Sequence, residues 1–247
     1  MAAYIMKKEF RAMFNKDGNI KLGNSWSFSM AMGNDQIATV YNGKYYSCMG
    51  TCGKYCQGCK NDCYVKKSYR YTSVKYSHIR NTNAMVADIS AAFSDLRTAI
   101  VKARKKPDII RINQSGEIIN TEYLLSWCKL ASEFKNIKFW MYTKAFTIVL
   151  PALNAGMIPD NMTILFSIWH EYGINAFKSV QHMSNVKAFV YCDEYDYSKH
   201  DLGIMTYCTA YKNINGRMTL DHNVTCDKCK KCFSRLASHK VIGCLAH

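Results

Sequence analysis

The chain has 247 residues, of which 49% are hydrophobic, and its 33 Lys and Arg against 18 Asp and Glu give a formal net charge of +15. This length and apolar content suffice for one sizeable core, so we predict a single domain over residues 1–247. No apolar stretch is long enough for a signal peptide or a membrane span, which predicts a soluble, cytoplasmic protein with no membrane partner. The excess of positive charge favours an acidic partner such as nucleic acid, an anionic cofactor or an acidic protein.

The cysteine content restricts the function further. Twelve cysteines would suit a secreted disulfide scaffold in a much shorter chain. Because an export signal is not apparent and a reducing cytosol keeps thiols free, cysteines that cluster in the sequence indicate metal binding instead. Two such groups occur, at residues 48–63 and 208–232.

The first predicted elements are β-strands. Residues 25–32 are predicted to form a strand and residues 36–46 a hairpin, because Asn42 and Gly43 supply the positive φ angles of a two-residue turn. Residues 47–64 follow as an N-terminal cluster loop, rich in Gly and Cys and too poor in apolar residues for a core element.

Helices and strands alternate over residues 83–203. One helix, which ends before Pro107, is predicted from apolar residues at helical spacing, namely Met85, Ile89, Phe93, Leu96 and Ile100. Further helices are predicted at 121–134, 145–154 and 175–182, and buried strands at 108–113, 137–143, 162–169 and 186–192. The periodicity fades beyond Leu202, so residues 204–247 are predicted to be a cysteine-rich, cluster-binding extension.

Short apolar strands between amphipathic helices indicate parallel pairing through right-handed crossovers, and hence an α/β fold with a barrel or an open parallel sheet. Functional loops are expected at the carboxyl ends of such strands. The candidate residues there are Ser115, Gly116, Glu117, Tyr142, Thr143, Lys144, Ser167, Trp169, His170, Glu171, Asp193 and Glu194.

The first cysteine group places five thiols in sixteen residues: Cys48, Cys52, Cys56, Cys59 and Cys63. A four-iron (4Fe-4S) cluster needs several thiolates from one short loop, and small residues such as Gly53 and Gly58 let the backbone wrap around it. Zinc, which four thiolates bind tetrahedrally, is the alternative metal.

The second group is predicted to hold another cluster. Three of its thiols share one tight loop and a fourth is distant, an arrangement typical of ferredoxins, whereas zinc ribbons more often use two separated pairs. The ligands are Cys226, Cys229 and Cys232, with Cys208 preferred as the fourth and Cys244 in reserve. The remaining Cys128 and Cys192 are assigned to the core.

The spacing of Cys52, Cys56 and Cys59 resembles the cluster motif of radical S-adenosylmethionine enzymes. A later predicted strand ends in Ser115, Gly116 and Glu117, similar to the glycine-glycine-glutamate motif that holds the amino group of S-adenosylmethionine in that superfamily. The resemblance implies a partial (β/α) barrel with an auxiliary-cluster extension. It also implies that the fourth iron binds S-adenosylmethionine and that a reducing protein, such as a host flavodoxin or ferredoxin, supplies the electron.

The whole-chain pattern is also similar to the phage gene-product-eighty-eight family. The shared features are Cys63-Tyr64 closing the cysteine loop, Ser115-Gly116 after a strand, Tyr142-Thr143-Lys144 after an aromatic strand, and a cysteine triplet before the final His247. This resemblance implies a phage origin, a location in the host cytoplasm and iron–sulfur chemistry, but says little about a substrate.

Three functions stay open from the sequence. If neither Cys48 nor Cys63 caps the fourth iron of the N-terminal cluster, that iron is open to S-adenosylmethionine and the protein is a radical enzyme. A capped iron would make it a ferredoxin-like electron-transfer or redox-sensing protein. The third function is a basic metalloprotein that binds single-stranded nucleic acid through cationic groups interleaved with rings. Those residues are Lys66, Lys67, Arg70, Lys75 and Arg80 with Tyr64, Tyr69, Tyr71 and Tyr76.

Overall fold

The computed structural model describes residues 10–16, 22, 25–56, 59, 63–169, 173–192, 202–209, 211–214, 217–221 and 223–245. The helices in this part are α1 Val65–Ser68, α2 Thr72–Ala87, α3 Ile89–Val101, α4 Thr121–Glu133, α5 Phe146–Asn154, α6 Ile174–Val180 and α7 Cys226–Cys229. The strands are β1 Trp26–Ser27, β2 Gln36–Tyr41, β3 Lys44–Met49, β4 Ile109–Ile112, β5 Lys138–Thr143, β6 Met162–Trp169, β7 Val186–Cys192, β8 Thr206–Tyr207, β9 Tyr211–Ile214, β10 Arg217–Leu220 and β11 Val241–Leu245. None of the described helices is long and apolar enough to span a membrane.

The centre of the fold is a seven-stranded sheet in the order β1-β4-β5-β6-β7-β11-β8. Neighbouring strands in it run parallel. The α/β class and the parallel pairing predicted from the sequence are therefore confirmed. Within this sheet β1, β4, β5, β6 and β7 follow one another in chain order, without the reversal that marks a doubly wound sheet, while β2 and β3 form a separate hairpin.

The two faces of this sheet have different partners, since successive side chains of a strand point to opposite faces. On one face, Ile110, Phe139, Ile164 and Ala188 belong to a core that includes Leu96 of α3, Trp127 of α4, Val149 of α5 and Phe177 of α6. On the other face, Trp140, Leu165 and Ile242 pack against Cys226, Cys232 and Phe233 of the C-terminal segment. The helices thus cover one face, and the C-terminal cysteine segment covers part of the other.

Most predicted elements between residues 108 and 192 are confirmed, and β6 and β7 have the predicted bounds. The hairpin is also confirmed, with φ of 49° at Asn42 and 75° at Gly43 in the turn between β2 and β3. The strand predicted over 25–32 is wrong in length, because only Trp26–Ser27 pairs regularly with β4. The backbone beyond it instead bonds to the chain around the end of β4, with Met30 N–H donating to the Ser115 carbonyl at 2.9 Å.

Two further predictions need correction. The single helix drawn through Met85 and Ile89 is two helices, because Asp88 has an extended backbone with φ of −165°. The C-terminal extension is more regular than predicted, since β11 lies inside the main sheet between β7 and β8. The end of the chain therefore completes the sheet.

Replacing Asp88 by alanine is expected to lower the free energy of unfolding by about 1 kcal/mol. The Asp88 carboxylate accepts a hydrogen bond from the Ala91 backbone N–H at 2.9 Å and caps the start of α3. Chemical denaturation measures the loss, and Asp95→Ala within the same helix is the matched control. Equal stability of Asp88→Ala and the wild type would show that the cap contributes nothing.

Candidate functional site

A cavity of about 540 Å³ lies on the sheet face opposite the helices, at the carboxyl ends of the central strands. Residues from β4 to β7, β11 and the segments that follow them line it. Eight cysteines are in its wall: Cys52, Cys59, Cys63, Cys208, Cys226, Cys229, Cys232 and Cys244. The two cysteine groups, which are far apart in the sequence, thus line one cavity at the edge where functional loops were expected.

The five N-terminal cysteines are not equivalent. Cys52, Cys59 and Cys63 line the cavity, and Cys56 is buried in the short 3₁₀ turn Gly53–Cys56. Cys48 lies instead within β3, opposite Ile37, so the loop predicted from residue 47 begins only after Met49. Burial raises the pKa of the Cys48 thiol to about 11, although a hydrogen bond with Thr82 of α2 opposes the shift.

The electrostatics of the N-terminal wall depend on Cys52, Glu117 and Lys144. Burial, with a further contribution from the Glu117 carboxylate, raises the pKa of Cys52 to about 12. Burial lowers the pKa of Lys144, but Cys59, Glu117 and Cys52 outweigh it, and the net direction is upward. Lys144 also forms a side-chain hydrogen bond with Cys59. A lysine ammonium therefore lies beside the thiols of this wall, where it stabilises negative charge on sulfur.

The C-terminal wall is built around Cys232. Its Sγ lies 3.1 Å from the Tyr142 hydroxyl at the end of β5. Burial, with a further contribution from Cys208, raises the pKa of Cys232 to about 12. Cys226 and Cys229 occupy the ends of α7, and the Cys229 Sγ lies 3.4 Å from the Thr209 hydroxyl. The predicted ligands Cys208, Cys226 and Cys232 are thus close enough to influence one another electrostatically.

The donor chemistry of the cavity suits a thiolate-bound metal group. Every cysteine whose side chain is described is a free thiol. In the described part of the chain, no group of three or more His, Cys, Asp or Glu side chains is already arranged to hold a metal ion. Thiol sulfurs are soft ligands for zinc, copper(I) and iron–sulfur clusters. Burial raises the pKa of the Cys52, Cys63 and Cys232 thiols, so metal binding there would release protons and would draw the side chains together.

Ser115, Gly116 and Glu117 lie in the cavity wall, at the end of β4. The buried Glu117 carboxylate accepts hydrogen bonds from the Thr143 hydroxyl at 2.7 Å and from the Lys144 backbone N–H at 2.7 Å. The Ile118 backbone N–H donates to the same carboxylate at 2.9 Å. Glu117 therefore ties the end of β4 to the end of β5, and its carboxylate already has three donors.

Gly116 brings the cysteine loop against this strand end. Its φ is +82°, and a Cβ there would lie 2.6 Å from the Thr51 Oγ1 and 2.9 Å from the Met30 Cβ. The Thr51 hydroxyl accepts from the Glu117 backbone N–H at 3.0 Å and donates to the Ala31 carbonyl at 2.9 Å. Thr51 directly precedes Cys52, so this contact sets the position of the first cysteine in the cavity wall.

The other sequence candidates divide into three sets. Tyr142, Lys144, Ser167 and Trp169 line the cavity, and the buried Thr143 contacts Glu117. The candidates Gly58, His170, Glu171, Asp193, Glu194 and His247 lie outside the described residues. The cavity wall also contains residues that were not predicted from the sequence, among them Arg111, Phe189 and Tyr191. A lone arginine within the apolar strand predicted at 108–113 was the available signal for the first of them.

The basic, tyrosine-rich segment forms the helices α1 and α2. Tyr69 and Tyr76 are packed, since the Met32 backbone N–H donates to the Tyr69 hydroxyl and the Tyr76 ring stacks on Tyr41 at 4.4 Å. Tyr71 is 53% exposed, and the Arg70 guanidinium lies 4.8 Å from its ring centroid. The predicted series of alternating cations and accessible rings is therefore interrupted by packed tyrosines.

Comparisons with known proteins give a family but no structural precedent. A family model described as Gene product 88 matches residues 7–235. The Gene 88 protein of Mycobacterium phage D29 is 26% identical over 88 residues, which cover 34% of this chain and 36% of that protein. The aligned part thus spans about a third of that relative's length. No solved structure matches the chain. Because the family model covers most of its length, the chain belongs to the Gene product 88 family of phage proteins.

Proposed function

We propose that this protein binds two iron–sulfur clusters, one through each cysteine group, and that the cavity between the groups is its functional site. The observation that carries the proposal is that eight thiols from two distant parts of the sequence line one cavity. Seven of these thiols are only partly buried, and that many neighbouring thiols without a ligand would be open to oxidation. The triplet spacing of Cys226, Cys229 and Cys232 favours an iron–sulfur cluster over zinc.

The proposed ligands follow from the cavity wall. The C-terminal cluster would be held by Cys208, Cys226, Cys229 and Cys232, with Cys244 nearby on β11. The N-terminal cluster would be held by Cys52 and Cys59 of the wall together with Cys56, which is buried in the adjoining 3₁₀ turn. The wall position of Cys63 favours it over Cys48 as a fourth ligand. Lys144 beside Cys59, and Tyr142 beside Cys232, would donate hydrogen bonds to sulfur and raise the reduction potentials.

We propose further that the sheet is a partial (β/α) barrel and that the cavity binds S-adenosylmethionine. Three observations support this fold: β1, β4, β5, β6 and β7 lie in chain order in the sheet, the helices cover one face, and the cavity is at the carboxyl edge. When bound, the N-terminal cluster would supply the electron that cleaves S-adenosylmethionine. Ser115 and Gly116 line the cavity and would contact the ligand. Glu117 would act mainly by holding Lys144 and the strand ends in place, since its carboxylate already has three donors.

An electron-transfer protein without catalysis is the second candidate. Cys63 in the cavity wall favours it, because a fourth thiolate would close the coordination site that S-adenosylmethionine requires. In either case the electron would come from a reducing protein such as a flavodoxin or ferredoxin. The net charge of +15 favours an acidic donor.

Protein purified anaerobically is expected to be brown and to hold about eight irons per chain. The triple variant Cys226→Ser, Cys229→Ser, Cys232→Ser should keep about four of them, as should the triple variant Cys52→Ser, Cys56→Ser, Cys59→Ser. Cys128→Ser is the matched control, because Cys128 is buried in the core between the helices and the sheet. Colourless protein with stoichiometric zinc would contradict the proposal.

Electron paramagnetic resonance of the reduced protein separates the two candidates. A radical enzyme should show a spectrum that S-adenosylmethionine changes, together with deoxyadenosine as a product. An electron carrier should show neither. If the protein is an electron carrier, Cys63→Ser is expected to open the coordination site. S-adenosylmethionine should then alter the spectrum of Cys63→Ser but not that of the wild type or of Cys48→Ser.

A further inference from the structure

Arg111 is a buried cation on the cavity face of β4. The strand is otherwise made of isoleucines, and Arg111 is only 7% exposed. Its guanidinium lies 5.0 Å from the ring centroid of Trp140 and 4.9 Å from that of Tyr142, both on the neighbouring strand β5. Two aromatic rings thus hold the guanidinium at the floor of the cavity, which Arg111 itself lines.

The guanidinium has hydrogen-bonding capacity that the described residues leave unused. One Nη donates to the Tyr64 hydroxyl at 3.4 Å, a long bond to a neutral group. The buried Nε has no hydrogen-bond partner among the residues that the structure describes. Within the described part of the chain, no carboxylate forms an ion pair with Arg111. A buried charge without an opposite charge is costly, and such groups are normally paired.

The groups beside Arg111 are hydroxyls and thiols rather than carboxylates. Tyr64 and Tyr142 lie against the guanidinium, with Cys226 and Cys232 farther along the same wall. Burial lowers the pKa of Arg111, but these four groups outweigh it, and the net direction is upward. Arg111 therefore keeps its positive charge in the floor of the cavity.

The rest of the cavity wall has the same sign of charge. Lys144, Lys230 and Lys231 line it together with Arg111, and the acidic residue in the described wall is Glu117. Since the Glu117 carboxylate already accepts from three donors, it does not neutralise the floor. A positively charged pocket with a forked donor at its base is suited to a carboxylate or phosphate group.

We propose that Arg111 is the base of an anion-binding site in this cavity and that the site takes the carboxylate or phosphate of a small-molecule ligand. The planar guanidinium, held between Trp140 and Tyr142, presents its free N–H groups to the anion. The site shares its cavity with the proposed clusters but does not require iron. Its ligand would be a second molecule beside S-adenosylmethionine, or the effector of an electron carrier.

The test uses inorganic phosphate and malonate as probes in isothermal titration of the anaerobically purified protein. The wild type should bind at least one of them saturably, and the preferred probe shows whether the site selects phosphate or carboxylate. Arg111→Gln should weaken this binding by about 30-fold or more, and Arg111→Lys by less, because it keeps the charge but loses the fork. Arg97→Gln is the matched control, since it removes the same charge from an exposed pair with Glu133.

Several results would overturn the inference. The inference is wrong if the wild type binds neither phosphate nor malonate saturably. It is also wrong if the wild type and Arg111→Gln bind the probe with equal affinity. Unchanged anion affinity with a lowered reduction potential in Arg111→Gln would assign Arg111 to the C-terminal cluster instead. Circular dichroism shows whether each variant is folded, and Arg111→Lys keeps the test open if Arg111→Gln unfolds. Iron is measured on the same samples, so iron-free protein that still binds anions through Arg111 would refute only the proposed function.

Discussion

Gly116→Ala is expected to lower the free energy of unfolding by about 3 to 4 kcal/mol. Part of the loss is backbone strain, because an alanine at φ of +82° is in the left-handed region. The larger part is steric, since the new Cβ would lie 2.6 Å from the Thr51 Oγ1 and 2.9 Å from the Met30 Cβ. The cysteine loop must then move away from the end of β4, and on the proposed function the iron content should fall with it.

Gly156→Ala separates the two causes. Gly156 also has a positive φ, of +66°, but in the described part of the chain no atom lies within 4 Å of the Cβ that alanine would add. Its expected cost is therefore the strain alone, about 1 kcal/mol. Urea denaturation of both variants gives the difference between them. If the two losses were equal, the close approach of Thr51 would have no energetic weight.

The regular part of the fold could be predicted because its signals are local. Each strand from β4 to β7 is a short apolar run, and each intervening helix shows apolar residues at helical spacing. Parallel pairing follows from that alternation, and the position of the cavity follows from the parallel pairing. The cysteine groups were visible for the same reason, since their ligand spacing is contained in short segments.

The errors arose where contacts between residues far apart in the sequence determine the local structure. The apolar periodicity passes through Asp88 without a break, because Met85 and Ile89 belong to the same core although they lie in different helices. Strand β11 lies in a segment without apolar periodicity, so only its pairing with β7 and β8 identifies it. Periodicity likewise does not show that a charged residue inside a strand is buried, which is why Arg111 was missed.

Lys187 is a second buried cation, and Lys187→Met is expected to lower the free energy of unfolding by about 2 to 3 kcal/mol. Lys187 is 1% exposed in β7, and its ammonium donates to the Lys231 carbonyl at 2.7 Å and the His239 carbonyl at 3.0 Å. These bonds join the sheet to the segment that carries Cys232. Methionine keeps the length and apolar stem but leaves both carbonyls without this donor. Lys138→Met, at an exposed position at the start of β5, is the matched control and should change stability by less than about 0.5 kcal/mol.

The loss in Lys187→Met should also depend on pH. Burial lowers the pKa of Lys187 from 10.5 to about 8, so between these values the unfolded chain binds more protons than the folded one. The free energy of unfolding of the wild type therefore rises with pH between about 8 and 10.5. Below about pH 8 the folded protein carries the full cost of burying the charged ammonium. Because the variant lacks the amine, the stability difference between wild type and Lys187→Met should widen from pH 8 to pH 10. A constant difference over that range would mean that Lys187 is not desolvated, and its bonds to the cysteine segment would then be ordinary surface contacts.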